Sequence, residues 1–132
     1  MSKVLVPLAE GFEELEAVTI IDLLRRAGID VTVAGLQDGP VRGSRGTVIV
    51  PDDSLDMSMG GDYDMIVLPG GLPGADHLNE DPRIDSLLRQ LHANDRYTAA
   101  ICAAPKVLAS AGLLQGRTVT AYPGVLDNSD VD

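Results

Sequence analysis

The chain has 132 residues, 45% of them hydrophobic, with a formal net charge of −10 and a sequence pI near 4.4. That length suits one domain, and its core must be aliphatic because Trp is absent and Phe12 is the single Phe. The acidic surface excludes nucleic acid and anionic membranes as natural partners, and no apolar run approaches the roughly 20 residues of a bilayer span.

In chain order, the apolar run 4–8 predicts a buried strand, and Ala9-Glu10-Gly11-Phe12 a turn. A helix is expected over 13–27, with Ala17, Ile20, Ile21 and Leu24 at helical spacing and Gly28 closing it. Residues 30–36 form the next expected strand, 37–46 are turn-rich, and 47–50 are strand-like before Pro51. The run 64–68 is a further buried strand, stopped by Pro69-Gly70-Gly71. A loop and a helix over 82–92 follow, then a strand over 97–101, a helix over 105–111 and a strand over 117–121.

Continuously apolar strands alternating with helices predict a doubly wound, mostly parallel sheet covered on both faces. The N-terminus meets Pro7 and then acidic residues too early for a signal peptide, so the cytoplasm is the expected compartment. The polar stretch 127–132 ends without a closing helix. The expectation is a single α/β domain over 1–132, incomplete at its C-terminal side.

Cys102 is the lone cysteine, so no internal disulfide forms. It falls where the strand over 97–101 gives way to the helix over 105–111. Unpaired amides and the helix dipole there favour a thiolate, the form that attacks electrophiles and reacts with peroxide. An inert small hydrophobe is the bland reading of such a cysteine. Glu16 falls on a helical stripe with Ile20, Leu23 and Ala27, so its carboxyl is expected among apolar groups, protonated near neutrality and able to donate to a thiolate. Glu13 and Glu14 are expected to be solvated acids that complement the helix dipole. Gly70 and Gly71 have no side chains, so their amides could approach an oxyanion. In open α/β sheets these strand ends converge on one edge.

His77 and His92 are expected at the surface, and no Cys/His/acid cluster has metal-ligand spacing. No GxGxxG or P-loop supports a nucleotide, so neither metal nor cofactor is expected.

Three segments, Ala9-Glu10-Gly11-Phe12-Glu13-Glu14-Leu15-Glu16-Ala17, Val67-Leu68-Pro69-Gly70-Gly71 and Ala99-Ala100-Ile101-Cys102-Ala103-Ala104-Pro105, resemble the ThiJ/PfpI superfamily. The similarity is greatest to the branch of the parkinsonism-associated protein deglycase and its bacterial YajL-type relatives, and runs from Lys3 to about Pro123. It implies a flavodoxin-like sandwich, usually a homodimer, and here a C-terminal fragment of the same protein as a further partner. It implies Cys102 as the oxidation-sensitive nucleophile, Glu16 as its protonated partner, and amides of Gly71 and Ala103 as the oxyanion site. Arg26 and Arg45 match family arginines near the interface and pocket. Tyr122 occupies the slot where many relatives carry a histidine, and a phenol is a poor base at neutral pH.

The implied activity is cofactor-independent conversion of small dicarbonyls to hydroxy acids, or deglycation of protein adducts. The alternative is a redox-responsive chaperone or sensor acting through oxidation of Cys102. A PfpI-type peptidase is a minor alternative that needs a better base than Tyr122, and an amidotransferase would want a downstream His-x-Glu that the sequence lacks.

Overall fold

The computed structural model describes residues 1–127. Its elements in order are β1 (Lys3–Leu8), α1 (Glu14–Arg26), β2 (Asp30–Gly35), β3 (Val41–Arg42), β4 (Val48–Ile49) and β5 (Asp53–Ser54). They continue with α2 (Leu55–Ser58), β6 (Met65–Leu68), α3 (Gly74–Glu80), α4 (Pro82–Ala93), β7 (Tyr97–Ala100) and α5 (Pro105–Ser110). Five strands form one parallel sheet in the order β5-β2-β1-β6-β7, and β3 with β4 make a small antiparallel hairpin beside it.

The period of two along β1 sends alternate side chains to opposite faces. Leu5 joins the core that α3, α4 and α5 cover through Leu78, Ile84, Leu88 and Leu108. Val4, Val6 and Leu8 join the other core, with Phe12 and Ala17 and the partly buried Ile20, Ile21 and Leu24. Both faces are therefore dry, which is why these strands are apolar throughout.

The expected parallel α/β sheet is present, with helices on both faces. Three local expectations are corrected. Residues 117–121 form no strand, and β7 is the edge of the sheet. Residues of β7 and 117–120 line a common open cavity of about 990 Å³, and 117–121 pair with no strand of the sheet. The helix α3, in a segment expected to be a loop, follows Pro73 directly and buries Ala75 and Leu78. Ala17, Ile20, Ile21 and Leu24 of α1 face the core as expected, but the stripe assigned to Glu16 is not apolar-facing throughout: Leu23 and Ala27 are exposed.

Candidate active site

Three strand ends meet as the parallel topology requires. After β1, the turn 9–13 leads into α1, whose N-cap is Glu13, with its side chain accepting from the Leu15 N–H. Directly behind β6, the Gly70 N–H donates to Glu16 Oε1 at 2.9 Å, and the Gly70 carbonyl accepts from the Glu13 N–H at 2.9 Å. Beyond β7, Cys102 sits in a tight turn with φ +61°, a left-handed conformation uncommon for a side-chain-bearing residue.

Gly70 is the hub. A Cβ there would lie 2.6 Å from Glu16 Oε1, 2.8 Å from the Ile101 carbonyl oxygen and 2.9 Å from Cys102 Cβ. Only glycine lets the acid and the sulfur close on each other across that backbone. Glu16 Oε1 and Cys102 Cβ therefore sit side by side against Gly70, near enough for the Glu16 carboxyl and the Ala103 amide to act on the thiol.

The thiol's titration runs against the expectation from its position. Burial pushes the Cys102 thiol up first; the charge and hydrogen bond of Glu16 add to this, the Ala103 amide opposes it, and Glu13 adds a smaller upward push. Two physical reasons account for the difference. The six-residue α5 begins only at Pro105, and the turn aims the sulfur toward two carboxylates. Burial disfavours the charged thiolate, and proximity to the acids disfavours it further.

The remaining expected residues divide. Ala103 is buried beside the sulfur. Gly70 is brought to the site, but its amide is already committed to Glu16 and is not free for an oxyanion. Gly71, with φ +95°, packs against the Glu13 amide and Gly11, where a Cβ would come within 2.4 Å. Tyr122 reaches the site through its backbone, donating its N–H to the Cys102 carbonyl at 2.8 Å, while its side chain is 61% exposed. Arg26 lies at the far end of α1, exposed and paired with Asp22 at 2.7 Å, so one copy of the chain does not bring it to Cys102. Arg45 is an exposed residue of the loop after β3, held by its backbone N–H to Glu14. His77 and His92 are exposed.

Glu14 and Ser44 belong to this neighbourhood although their sequence context suggested only solvated surface. The Glu14 carboxylate accepts from the N–H groups of Arg45 and Thr47 and from the Ser44 hydroxyl. The paired glycines in Gly43-Ser44-Arg45-Gly46 were the available signal of a tight loop built around a close neighbour. Lys106, four residues past Cys102, pairs with Asp76 and ties α5 to α3.

Comparison with known proteins identifies relatives of the same fold. The model of the DJ-1/PfpI family matches residues 2–131. The Parkinson disease protein 7 homolog of Danio rerio is 47% identical over 127 residues, covering 95% of this chain and 67% of that protein. Deglycase PH1704 of Pyrococcus horikoshii is 35% identical over 127 residues, 96% of this chain and 75% of that one. Among solved structures, oxidized Toxoplasma gondii DJ-1 superposes with a TM-score of 0.93 at 44% identity, over 96% of this chain and 70% of its own. Drosophila melanogaster DJ-1beta gives 0.93 at 43% identity, over 100% and 74%.

Proposed function

The chain belongs to the DJ-1/PfpI family, and from that premise we propose that it is a cysteine-dependent, cofactor-independent glyoxalase or deglycase-type enzyme. Its substrates are small dicarbonyls or their adducts on proteins. The observation that carries this reading is the juxtaposition of Glu16 and Cys102 across Gly70. Cys102 supplies the nucleophile, and the Glu16 carboxyl beside it is the group proposed to shuttle the proton.

The reaction follows from that pair. Sγ attacks the aldehyde carbon of a 2-oxoaldehyde while the S–H proton passes to Glu16, and the carbonyl oxygen takes up a proton to give a hemithioacetal. Ala103 N–H, on the residue that follows Cys102, is the donor we assign to the developing oxyanion. Glu16, deprotonated again, removes the hydrogen on the former aldehyde carbon, and a proton returns to the neighbouring carbon. The aldehyde carbon is oxidised and the ketone carbon reduced, so no outside electron carrier enters. Water then cleaves the 2-hydroxyacyl thioester, releasing the hydroxy acid and the thiol. Tyr122 has no part in proton transfer.

Methylglyoxal consumption and lactate release test this directly. Cys102→Ser is expected to abolish turnover, and Glu16→Gln to reduce it by about 100-fold or more. Undiminished turnover in the serine variant would remove the proposal.

A second reading is favoured by the partly buried Cys102 beside a carboxyl: oxidation by peroxide to a sulfenic and then a sulfinic acid, with the protein acting as a stress sensor or chaperone. Added oxygen at Cys102 in the mass spectrum after mild peroxide, with no dicarbonyl turnover, would favour it.

We also infer a homodimer in the cytoplasm. Support for the dimer comes from α1, which leaves Leu15 75%, Val18 47% and Leu23 60% exposed.

A further inference from the structure

We propose that Glu14 is a positioning residue for the Cys102 site: it holds the loop 43–47 against the start of α1, so that the Ser44 hydroxyl stays across Glu13. The inference rests on the reading of Cys102 as the reacting group.

The loop is shaped around one carboxylate. The Arg45 N–H reaches Glu14 Oε2 at 2.9 Å and Oε1 at 3.1 Å, the Thr47 N–H reaches Oε2 at 3.0 Å, and the Ser44 hydroxyl reaches Oε1 at 3.3 Å. A Cβ on Gly43 would lie 2.5 Å from the Glu14 carboxyl carbon, so the seat exists only because residue 43 is glycine. The loop closes on itself through Gly43 N–H to the Thr47 carbonyl at 2.8 Å and Gly46 N–H to the Gly43 carbonyl at 3.0 Å. Burial would raise the Glu14 acid, but the donors from Thr47, its own backbone, Arg45 and Ser44 together hold it below the usual range.

The same loop touches the site. The Ser44 N–H donates to the Phe12 carbonyl at 2.8 Å, and its hydroxyl lies 3.5 Å from Glu13 Oε2. The other Glu13 oxygen caps the Leu15 N–H at 3.3 Å, so both oxygens are engaged and the carboxylate does not swing freely. Glu13 is in turn bonded through its backbone to Gly70, which lies between Glu16 and Cys102. The groups facing the sulfur are Glu16 and Glu13 from the start of α1. On the other elements, Lys106 of α5 is paired with Asp76 of α3, while His77, Arg45 and the Tyr122 side chain are exposed. Fixing Glu13 therefore fixes the second anion that the thiol meets.

The test is the pH dependence of Cys102 alkylation by iodoacetamide in the whole chain. Ser44→Ala, which removes no charge, and Glu14→Gln are each expected to speed alkylation at pH 7 by about two- to fivefold as the thiol's midpoint falls. Glu13→Gln should do at least as much, and adding Ser44→Ala to it should change nothing further, because both act through one carboxylate. If Glu14→Gln fails to fold, Ser44→Ala and the double variant carry the test. Unmoved midpoints in the single variants, or a full Ser44→Ala effect persisting without Glu13, would overturn the proposal while leaving Cys102 as the reacting group. A sulfur that the reagent never reaches in the native protein would overturn both.

Discussion

Gly70 and Glu16 are 54 positions apart in sequence, and the Gly70 N–H donates to the Glu16 carboxylate at 2.9 Å. That bond fastens the loop behind β6 to the first turn of α1 and turns the acid toward the sulfur beyond β7. One backbone amide thus orients the acid relative to the sulfur, the groups proposed above as base and nucleophile.

Gly70→Ala should break this arrangement. Its methyl group would stand 2.6 Å from Glu16 Oε1, 2.8 Å from the Ile101 carbonyl oxygen and 2.9 Å from Cys102 Cβ, and two of those atoms cannot rotate away. Denaturant unfolding is expected to show a loss of about 1–3 kcal/mol. Dicarbonyl turnover should fall with it, even at temperatures where the variant remains folded.

The backbone at Cys102 predicts an inverted order of stability for two sulfur-free variants. At φ +61° glycine is at ease and alanine is not. Cys102→Gly should therefore unfold at higher denaturant than Cys102→Ala, by about 1 kcal/mol. Equal midpoints would mean that the turn relaxes once the sulfur is gone.

Tyr122 contributes its N–H to the Cys102 carbonyl, while its phenol is largely outside. Tyr122→Phe should keep turnover within about twofold of the parent, since it leaves that backbone bond intact. A loss of 100-fold would give the phenol a chemical role that its placement does not indicate.

Asp81 caps α4 by accepting from the Arg83 N–H at 2.9 Å, and its carboxylate pairs with the Arg83 guanidinium at 2.7 Å. The Arg83 hydrogen bond is the largest influence on this acid and holds it below the usual carboxylate range against the opposing effect of burial. A depressed folded-state value means the contribution is present above the unfolded carboxylate range and disappears as pH falls through the folded one. Asp81→Ala should cost about 0.5–2 kcal/mol at neutral pH, and the gap between variant and parent should close in acid. A gap that persists unchanged in acid would place the effect in packing instead.

Much of this architecture is legible in the residues. Runs such as Val4-Leu5-Val6 and Ile66-Val67-Leu68 are apolar on both faces and announce a covered parallel sheet; Cys102, Glu16 and Gly70 fall at the strand ends where such a sheet gathers its ligands. What the residues concealed depends on partners distant in sequence. Arg117-Thr118-Val119-Thr120-Ala121 has strand propensity, but a strand also needs a paired neighbour, and β7 pairs only with β6. The direction of the Cys102 titration was hidden for the same reason. Position at a helix start is a local property, whereas burial and the opposing charges of Glu16 and Glu13 arise only when three strand ends converge. Glu14 looked like an ordinary first-turn acid because the loop it organises lies some thirty positions later, with Arg45 separated from it by 31.

The most direct test of the paired acid and sulfur is the rate of Cys102 alkylation against pH in the parent and in Glu16→Gln. The carboxylate raises the thiol, so the account predicts a lower midpoint and faster alkylation near neutrality in Glu16→Gln, together with loss of dicarbonyl turnover. A midpoint that stays in place or rises would contradict it, because Glu16 would then not be the base that holds the sulfur's proton.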